Sequence, residues 1–267
     1  MAIKLFVTDL DGTLLNKNHG ISEENKQAVQ AAMQQGITVT VATGRMYASA
    51  LPYAKQLGVD VPIITYNGAL IKSVGGEVLY ESYLKPQTVQ DVLDFCIGRD
   101  WYIQTYKDDQ LYFKEYSAEA QGYEALGGVK GEVVGAAGLH SLAENVPKML
   151  VITRGNEESD RVVEALQHSF ANRLVAVKSS ATYVEIINPG VNKATALDML
   201  LQKMFLTKAE VMAIGDSNND LPMLKAAGHS VAMGNANEQV KAVCDYVTDD
   251  CAHSGVAKAI REYVLKG

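Results

Sequence analysis

Two aspartates set two positions apart close the first apolar run of the chain, Phe6-Val7-Thr8-Asp9-Leu10-Asp11-Gly12-Thr13. Side chains of an extended strand alternate with a period of two, so Asp9 and Asp11 project to one side. They do so at the C-terminal end of the strand, where α/β sheets place their ligands. Carboxylates held that way can bind a divalent cation, or divide nucleophile and acid/base roles between them. Gly12, without a Cβ, allows a sharp turn and leaves its amide free to face an anion.

Three further segments carry matching chemistry in order. Val39-Thr40-Val41-Ala42-Thr43-Gly44-Arg45 is an apolar run ending in a hydroxyl and a glycine, Lys193 opens an amphipathic stretch, and Val211-Met212-Ala213-Ile214-Gly215-Asp216-Ser217-Asn218-Asn219-Asp220 ends in two more acids. Phosphoryl transfer is mostly positioning and charge neutralisation around an in-line nucleophile, and a carboxylate serves as that nucleophile through an aspartyl-phosphate. Each piece alone has a plainer explanation. Paired aspartates cap turns, acids favour the first turn of a helix, and a lone lysine is usually on the surface; the four together point to chemistry. Arg45 stays open between a substrate contact and a solvated arginine at a helix start. The histidines at 19, 140, 168, 229 and 253 show no ligand or triad spacing and receive no role.

The elements that must position these residues alternate regularly. Ser22 caps a helix whose stripe is Val29, Ala32 and Met33 and which stops near Gly36, a strand covers 37–42, and a helix over 46–57 stops at Gly58. A strand follows from Pro62 to Tyr66, then a hairpin-like stretch around Gly75-Gly76. Thr43 and Lys193 stand 150 positions apart, far more than a crossover helix needs, so something is inserted. It reads as an α+β unit over 83–188: a helical stripe of Val89, Val92, Leu93, Cys96 and Ile97, strands at 101–106 and 111–113 flanking Asp108-Asp109, a strand at 148–153, a helix over 157–169, and strands at 173–178 and 182–187. The remainder resumes with a helix at 193–205, the acidic strand at 210–215 and a final helix near 255–265. The tyrosines of the insert, among them Tyr102, Tyr106, Tyr112, Tyr116 and Tyr123, read as packing residues, with one or two lining a cleft.

Composition limits the function. A chain of 267 residues buries about three-quarters of its unfolded surface and supports a core without staples. Three cysteines, Cys96, Cys244 and Cys251, with no Cys-x-x-Cys spacing, read as thiols in a reducing compartment. With no long apolar run and no signal-peptide pattern, a cytoplasmic location is expected. A net charge of −7 argues against nucleic acid as a partner, so phosphate has to be met by local positive charge.

Together the four segments resemble the haloacid dehalogenase-like (HAD) phosphatase superfamily: the Asp-x-Asp-Gly-Thr nucleophile motif, the hydroxyl motif, the lysine motif and Gly-Asp-x-x-Asn-Asp. Thr65-Tyr66-Asn67-Gly68-Ala69 and Val231-Ala232-Met233-Gly234-Asn235-Ala236 resemble the Cof subfamily. Ala194, where a glycine commonly follows the lysine, is the one departure. The resemblance implies an α/β fold, with a Rossmann-like parallel-sheet core over 1–82 and 189–267 and a type IIB α+β cap inserted at 83–188. It implies a magnesium-dependent phosphomonoester hydrolase acting on small phosphorylated metabolites, with neither nucleic acid nor membrane as partner. Asp9 would be the nucleophile and Asp11 the acid/base. Asp9, the main-chain carbonyl of Asp11, and Asp216 would hold Mg²⁺; Thr43 and Lys193 would hold phosphate oxygens, aided by the amides of Leu10 and Gly44. Asn219 would donate to the phosphate or a metal-bound water, and Asp220 would orient Lys193 or a water ligand. A phosphohexomutase-like transferase, a sugar-phosphate phosphatase of the sucrose or trehalose type and a non-catalytic phosphometabolite-binding regulator are the alternatives.

Overall fold

The computed structural model describes residues 2–265. Its centre is a five-stranded, wholly parallel sheet in the order Tyr246–Val247, His229–Ala232, Val211–Gly215, Leu5–Thr8, Thr38–Val41. Every residue of Leu5–Thr8 and Val211–Gly215 is buried, as parallel strands covered on both faces must be, and this is why those stretches read as unbroken apolar runs. Leu5–Thr8 pairs on one side with the strand that follows it in sequence and on the other with a strand some 200 positions later, Leu5 opposite both Thr38 and Val211. The order therefore reverses beside the first strand, and in open α/β sheets that crevice at the carboxyl ends is where ligands bind.

The helix Glu23–Gln34 is capped by Ser22, whose hydroxyl accepts from Asn25 N, and the helix Tyr47–Leu57 ends on a left-handed Gly58, both as the sequence indicates. A small antiparallel sheet of Ile63–Thr65, Leu70–Lys72 and Val78–Glu81 joins the main sheet through the Ala42–Ile64 bridge. The chain then enters the helix Pro86–Ile97 and builds a second sheet of six strands, ordered Val175–Lys178, Tyr183–Ile187, Lys148–Ile152, Tyr102–Lys107, Gln110–Phe113, Gly131–Val133. Its pairs are antiparallel except the last, which is parallel.

Period-two alternation divides this second sheet. Met149, Val151, Val184 and Ile186 face a cluster with Val89, Val92, Leu93, Val162 and Leu166 of the helices Pro86–Ile97 and Asn156–Ser169. Leu150 and Ile187 turn the other way and join Tyr106, Phe113 and Tyr123 in the cluster that continues into the main core. Lys148 and Glu185 share that inward face, Glu185 lying opposite Leu150. The sequence pattern assigns no regular element between 113 and 148. The structure forms the helix Ala118–Gly127, the strand Gly131–Val133 and the helix Gly135–Ser141 there. The segment is rich in alanine and glycine and lacks an apolar stripe, so local pattern carries little signal. Among the described residues no helix is long and apolar enough to cross a membrane.

Candidate active site

Asp9 follows the first strand, Thr43 the second and Asp216 the strand Val211–Gly215, so three adjacent carboxyl ends deliver the site. Gly12 makes the closeness possible. Its φ is +72°, and a Cβ there would sit 2.4 Å from Asp216 Oδ2. Thr13 Oγ1 donates to Asp216 Oδ1 at 3.1 Å, a contact implied by no sequence signal beyond the motif itself.

Lys193 arrives from the opposite direction. Asn192 caps the helix Lys193–Met204, accepting from Ala194 N and Thr195 N, while Thr195 Oγ1 accepts from Asn192 N in return. This capping box fixes the first helical residue, and Lys193, 0% exposed, donates to Asp9 Oδ1 at 2.7 Å and Asp220 Oδ1 at 2.6 Å. The other oxygen of Asp220 accepts from Asp216 N and Ser217 N, both at 3.1 Å. Asp220 thus secures the lysine and the turn after the acidic strand.

One lysine does not balance this group of acids. Asp9, Asp216 and Asp220 place carboxylate oxygens within 4.8 Å of one another. Burial pushes the Asp9 carboxyl well above the usual range, Lys193 pulls it back, and Asp220, Asp216 and Asp11 add to the rise. Asp216 is pushed up to about 7 by burial and by Asp220. Burial opposes the charge of Lys193, yet Asp220 and Asp9 outweigh it and its pKa is raised. Asp220 has its oxygens on the Lys193 ammonium and on two amides, whereas Asp9 is held through Oδ1 and Asp216 accepts from Thr13 and, at 3.4 Å, from Asn235 Nδ2, so Asp9 and Asp216 are the freer carboxylates for a cation. Carboxylates crowded together short of positive charge fit a hard divalent ion with oxygen ligands.

Arg45 is not the solvated helix-start residue that was one reading of the sequence. It is 5% exposed, and its Nε and Nη2 donate to Asp11 Oδ2 and Oδ1, each at 2.7 Å, with Nη1 donating to Ser49 Oγ at 3.0 Å. The Asp11 carboxyl is 42% exposed and opens into a cavity of about 330 Å³. Asp9, Thr43, Gly44, Arg45, Asn219, Tyr123 and Tyr183 also line that cavity. Asp216 lines an adjoining recess with Asp11 and Gly12, whereas Leu10, Lys193 and Asp220 form part of neither wall.

Two residues without an assigned role belong here. His19 lines the cavity with Nδ1 3.9 Å from Asp11 Oδ1, though its isolated position in sequence carried no signal. Asn67, buried with a left-handed φ of 56°, accepts from Asn219 Nδ2 at 2.9 Å, so Asn219 donates to a protein partner. The Nδ2 of Asn67 has no partner among the described residues and lies beside Gly44.

A family model described as haloacid dehalogenase-like hydrolase matches residues 6–260. The chain belongs to that family. It is 32% identical over 263 residues to the 5-amino-6-(5-phospho-D-ribitylamino)uracil phosphatase YcsE of Bacillus subtilis (strain 168), covering 98% of this chain and 96% of the relative. A haloacid dehalogenase-like hydrolase from Bacteroides thetaiotaomicron superposes with a TM-score of 0.87 at 31% identity, covering 97% of this chain and 98% of the other. A sugar phosphatase of HAD subclass IIB gives 0.85 at 26%, with the same coverage. Within the family the chain stands with the Cof-type phosphatases, as its motifs suggested, and it is an enzyme of that kind.

Proposed function

We propose that the chain hydrolyses small phosphomonoesters with magnesium through an aspartyl-phosphate on Asp9, and that 83–188 forms a cap over the site. The observation that carries the reading is the buried Asp9 carboxylate, held by Lys193 at 2.7 Å and facing the cavity next to Asp11. Asp9, the main-chain carbonyl of Asp11, and Asp216 would hold the magnesium ion, whose charge keeps the nucleophile ionised and offsets repulsion from the incoming phosphate.

A carboxylate oxygen of Asp9 attacks phosphorus, and the bond to the leaving oxygen breaks with its electron pair. Asp11 donates a proton to that oxygen, then takes one from the water that attacks the aspartyl-phosphate and releases inorganic phosphate. Thr43 and the amide of Gly44, both in the cavity wall, hold the non-bridging oxygens. Lys193 acts from behind Asp9 as a point charge, kept in place by Asp220, and Asn219 steadies Asn67 at the edge of the phosphate position. The cavity favours a small leaving group with a polar end toward Arg45 and a face for Tyr123 and Tyr183 to pack against. A phosphorylated ribityl compound and a sugar phosphate, the substrate kinds named for the relatives, are both of this type, and a cytoplasmic metabolite fits the reducing environment read from the cysteines.

Release of p-nitrophenolate from p-nitrophenyl phosphate tests the class. Turnover with magnesium, abolished by chelator and inhibited by calcium, is expected, since the larger and more flexible coordination of calcium disturbs in-line geometry. Full turnover in excess chelator overturns the metal assignment. Absence of turnover with every divalent ion leaves the binding-only regulator, and phosphate release that requires a sugar acceptor leaves the mutase.

A further inference from the structure

The loop after the second strand is incomplete without residues from the inserted unit. Buried backbone groups need partners, and those of Thr43 and Arg45 find them nearby: Thr43 O accepts from Asn67 N and Arg45 O from Tyr66 N. Gly44 O is different. Among the described residues its hydrogen-bond donor is Lys148 Nζ at 2.7 Å, from a strand 104 positions away. Two residues later Met46 stands at the N-cap of the helix Tyr47–Leu57 and offers no side-chain cap. The second amide of that helix, Ala48 N, donates instead to Asp109 Oδ1 at 3.1 Å, and the same oxygen accepts from Tyr66 at 2.8 Å. Asp109 lies in the turn between Tyr102–Lys107 and Gln110–Phe113, with a left-handed φ of 59°. It occupies in trans the role of an N-cap side chain, which accepts from the second or third helical amide.

Lys148 is built for a fixed task. It is 1% exposed, lies 2.6 Å from Glu185 Oε2 and sits 4.8 Å from the centroid of the Tyr106 ring. Glu185 Oε1 is held in turn by Ser179 Oγ at 2.9 Å. A third tie joins the same segment: Ser49 Oγ, which receives Arg45 Nη1, donates to Gly127 O at 2.5 Å. An acceptor at 44, a donor at 48 and a hydroxyl at 49 are all completed by the second sheet and its helix.

We propose that Lys148 and Asp109 are positioning residues that set the Thr43–Ser49 segment from the cap side, so that phosphate affinity depends on the cap being seated. The inference rests on the phosphatase reading above, in which Thr43 and Gly44 hold phosphate oxygens. Lys148 fixes the Gly44–Arg45 peptide plane through its carbonyl, and Asp109 fixes the start of the helix that follows Arg45 and carries Ser49, the partner of its guanidinium. Lys148 lines the same cavity as Asp9, but its ammonium is engaged by Gly44 O and Glu185, and Asp109 lies outside that wall.

The test uses the full chain as Lys148→Met with Glu185→Gln, which avoids a lone buried charge, as Glu185→Gln alone, as Asp109→Ala and as Asp109→Asn. Three quantities are read: amide exchange across 44–50 by mass spectrometry, calorimetric binding of inorganic phosphate with magnesium present, and the magnesium concentration giving half-maximal hydrolysis of p-nitrophenyl phosphate. In the Lys148/Glu185 double variant and Asp109→Ala, exchange rises about fivefold and phosphate binds about tenfold more weakly, the size expected for a lost cap or buried hydrogen bond. The magnesium requirement stays within about twofold, because Asp9 and Asp216 lie on other strands. Asp109→Asn, which keeps an acceptor for Ala48 N, recovers at least half of the lost phosphate affinity, and Glu185→Gln alone binds phosphate more tightly than the double variant. Phosphate affinity within twofold of the wild type in both disabling variants overturns the proposal, as does a parallel loss of helix content, magnesium response and phosphate binding. Faster exchange and weaker phosphate binding without hydrolysis by the wild type would sink the phosphatase reading and leave the positioning role standing.

Discussion

Arg45 grips both oxygens of Asp11 with two parallel hydrogen bonds of 2.7 Å, although 34 positions separate the two residues. The fork sets the carboxyl plane at the mouth of the cavity, and both Asp11 oxygens act as acceptors in it. A protonated carboxyl keeps only part of its acceptor capacity, so the arm on the protonated oxygen weakens in the acid role proposed for Asp11.

Arg45→Lys keeps the charge and loses the fork. We expect kcat/KM for an alkyl phosphate to fall by about 10²-fold, the lower end of what general acid–base catalysis contributes. Stability should change by no more than about 1 kcal/mol, because the Asp11 carboxyl left behind is partly solvated. Steady-state kinetics beside urea unfolding separate the two effects; an unchanged kcat/KM would show that the clamp has no part in the reaction.

Gly12→Ala tests the close approach of the first strand's turn to Asp216. A positive φ costs a non-glycine residue about 1–2 kcal/mol, and the new methyl has to displace a carboxylate that Thr13 holds at 3.1 Å. Unfolding free energy should drop by that amount, and the magnesium concentration for half-maximal activity should rise about tenfold, since Asp216, a proposed ligand, moves. A magnesium titration that superposes on the wild type would remove Asp216 from the metal site.

The residues that announce the site in sequence are those whose neighbours make a local pattern. Asp9, Thr43 and Asp216 end buried apolar runs, and Lys193 starts a helix through the capping box of Asn192 and Thr195, each readable within a window of about ten residues. What stayed hidden depends on contacts across the fold. The Arg45–Asp11 fork, the Lys148–Gly44 bond and the Asn67–Asn219 contact join segments 34, 104 and 152 positions apart, and no spacing announces them. The same holds for 117–146, where the helix Ala118–Gly127 is anchored by Ala120 and Tyr123 against the second sheet with little amphipathic pattern of its own.

His140 gives the helix Gly135–Ser141 a pH-dependent tie to Asp94. Its Nδ1 lies 2.8 Å from Ala136 O and its Nε2 2.9 Å from Asp94 Oδ1. Both partners are acceptors, so the imidazolium, with a donor at each nitrogen, satisfies them together. The bond to Ala136 O raises the His140 pKa, burial opposes it, and Asp94 adds to the rise. A folded pKa above the unfolded value gives stabilisation that is complete below about pH 6.5 and disappears as pH rises through the folded pKa. His140 is 31% exposed, so the size is a few tenths to about 1 kcal/mol. Urea unfolding of the wild type and His140→Ala from pH 5 to 9 should show a gap that is widest at the acid end; a gap that widens with pH would reverse the assignment.

The two leading carboxylates are separated by the leaving group. On the proposed mechanism Asp9→Asn removes the nucleophile, so no phosphoenzyme forms and turnover of every substrate should cease. Asp11→Asn keeps the nucleophile, and an amide cannot deliver or take the proton. An aryl phosphate releases a weakly basic phenolate that hardly needs protonation, so its first step should survive in part, whereas an alkyl or sugar phosphate releases a strongly basic alkoxide and should lose about 10²–10⁴-fold. The second step suffers with both, because the attacking water has lost its base. Rapid mixing of Asp11→Asn with p-nitrophenyl phosphate should therefore give a burst of phenolate close to one equivalent, then slow turnover, with phosphate trapped on Asp9 and recoverable by mass spectrometry. The half-exposed Asp11 carboxyl and the buried Asp9 held by Lys193 suit this division, one meeting water and the leaving group, the other meeting phosphorus. Equal losses for aryl and alkyl substrates, with no trapped phosphoenzyme, would take the acid/base role away from Asp11 and make His19, 3.9 Å away, the next group to test.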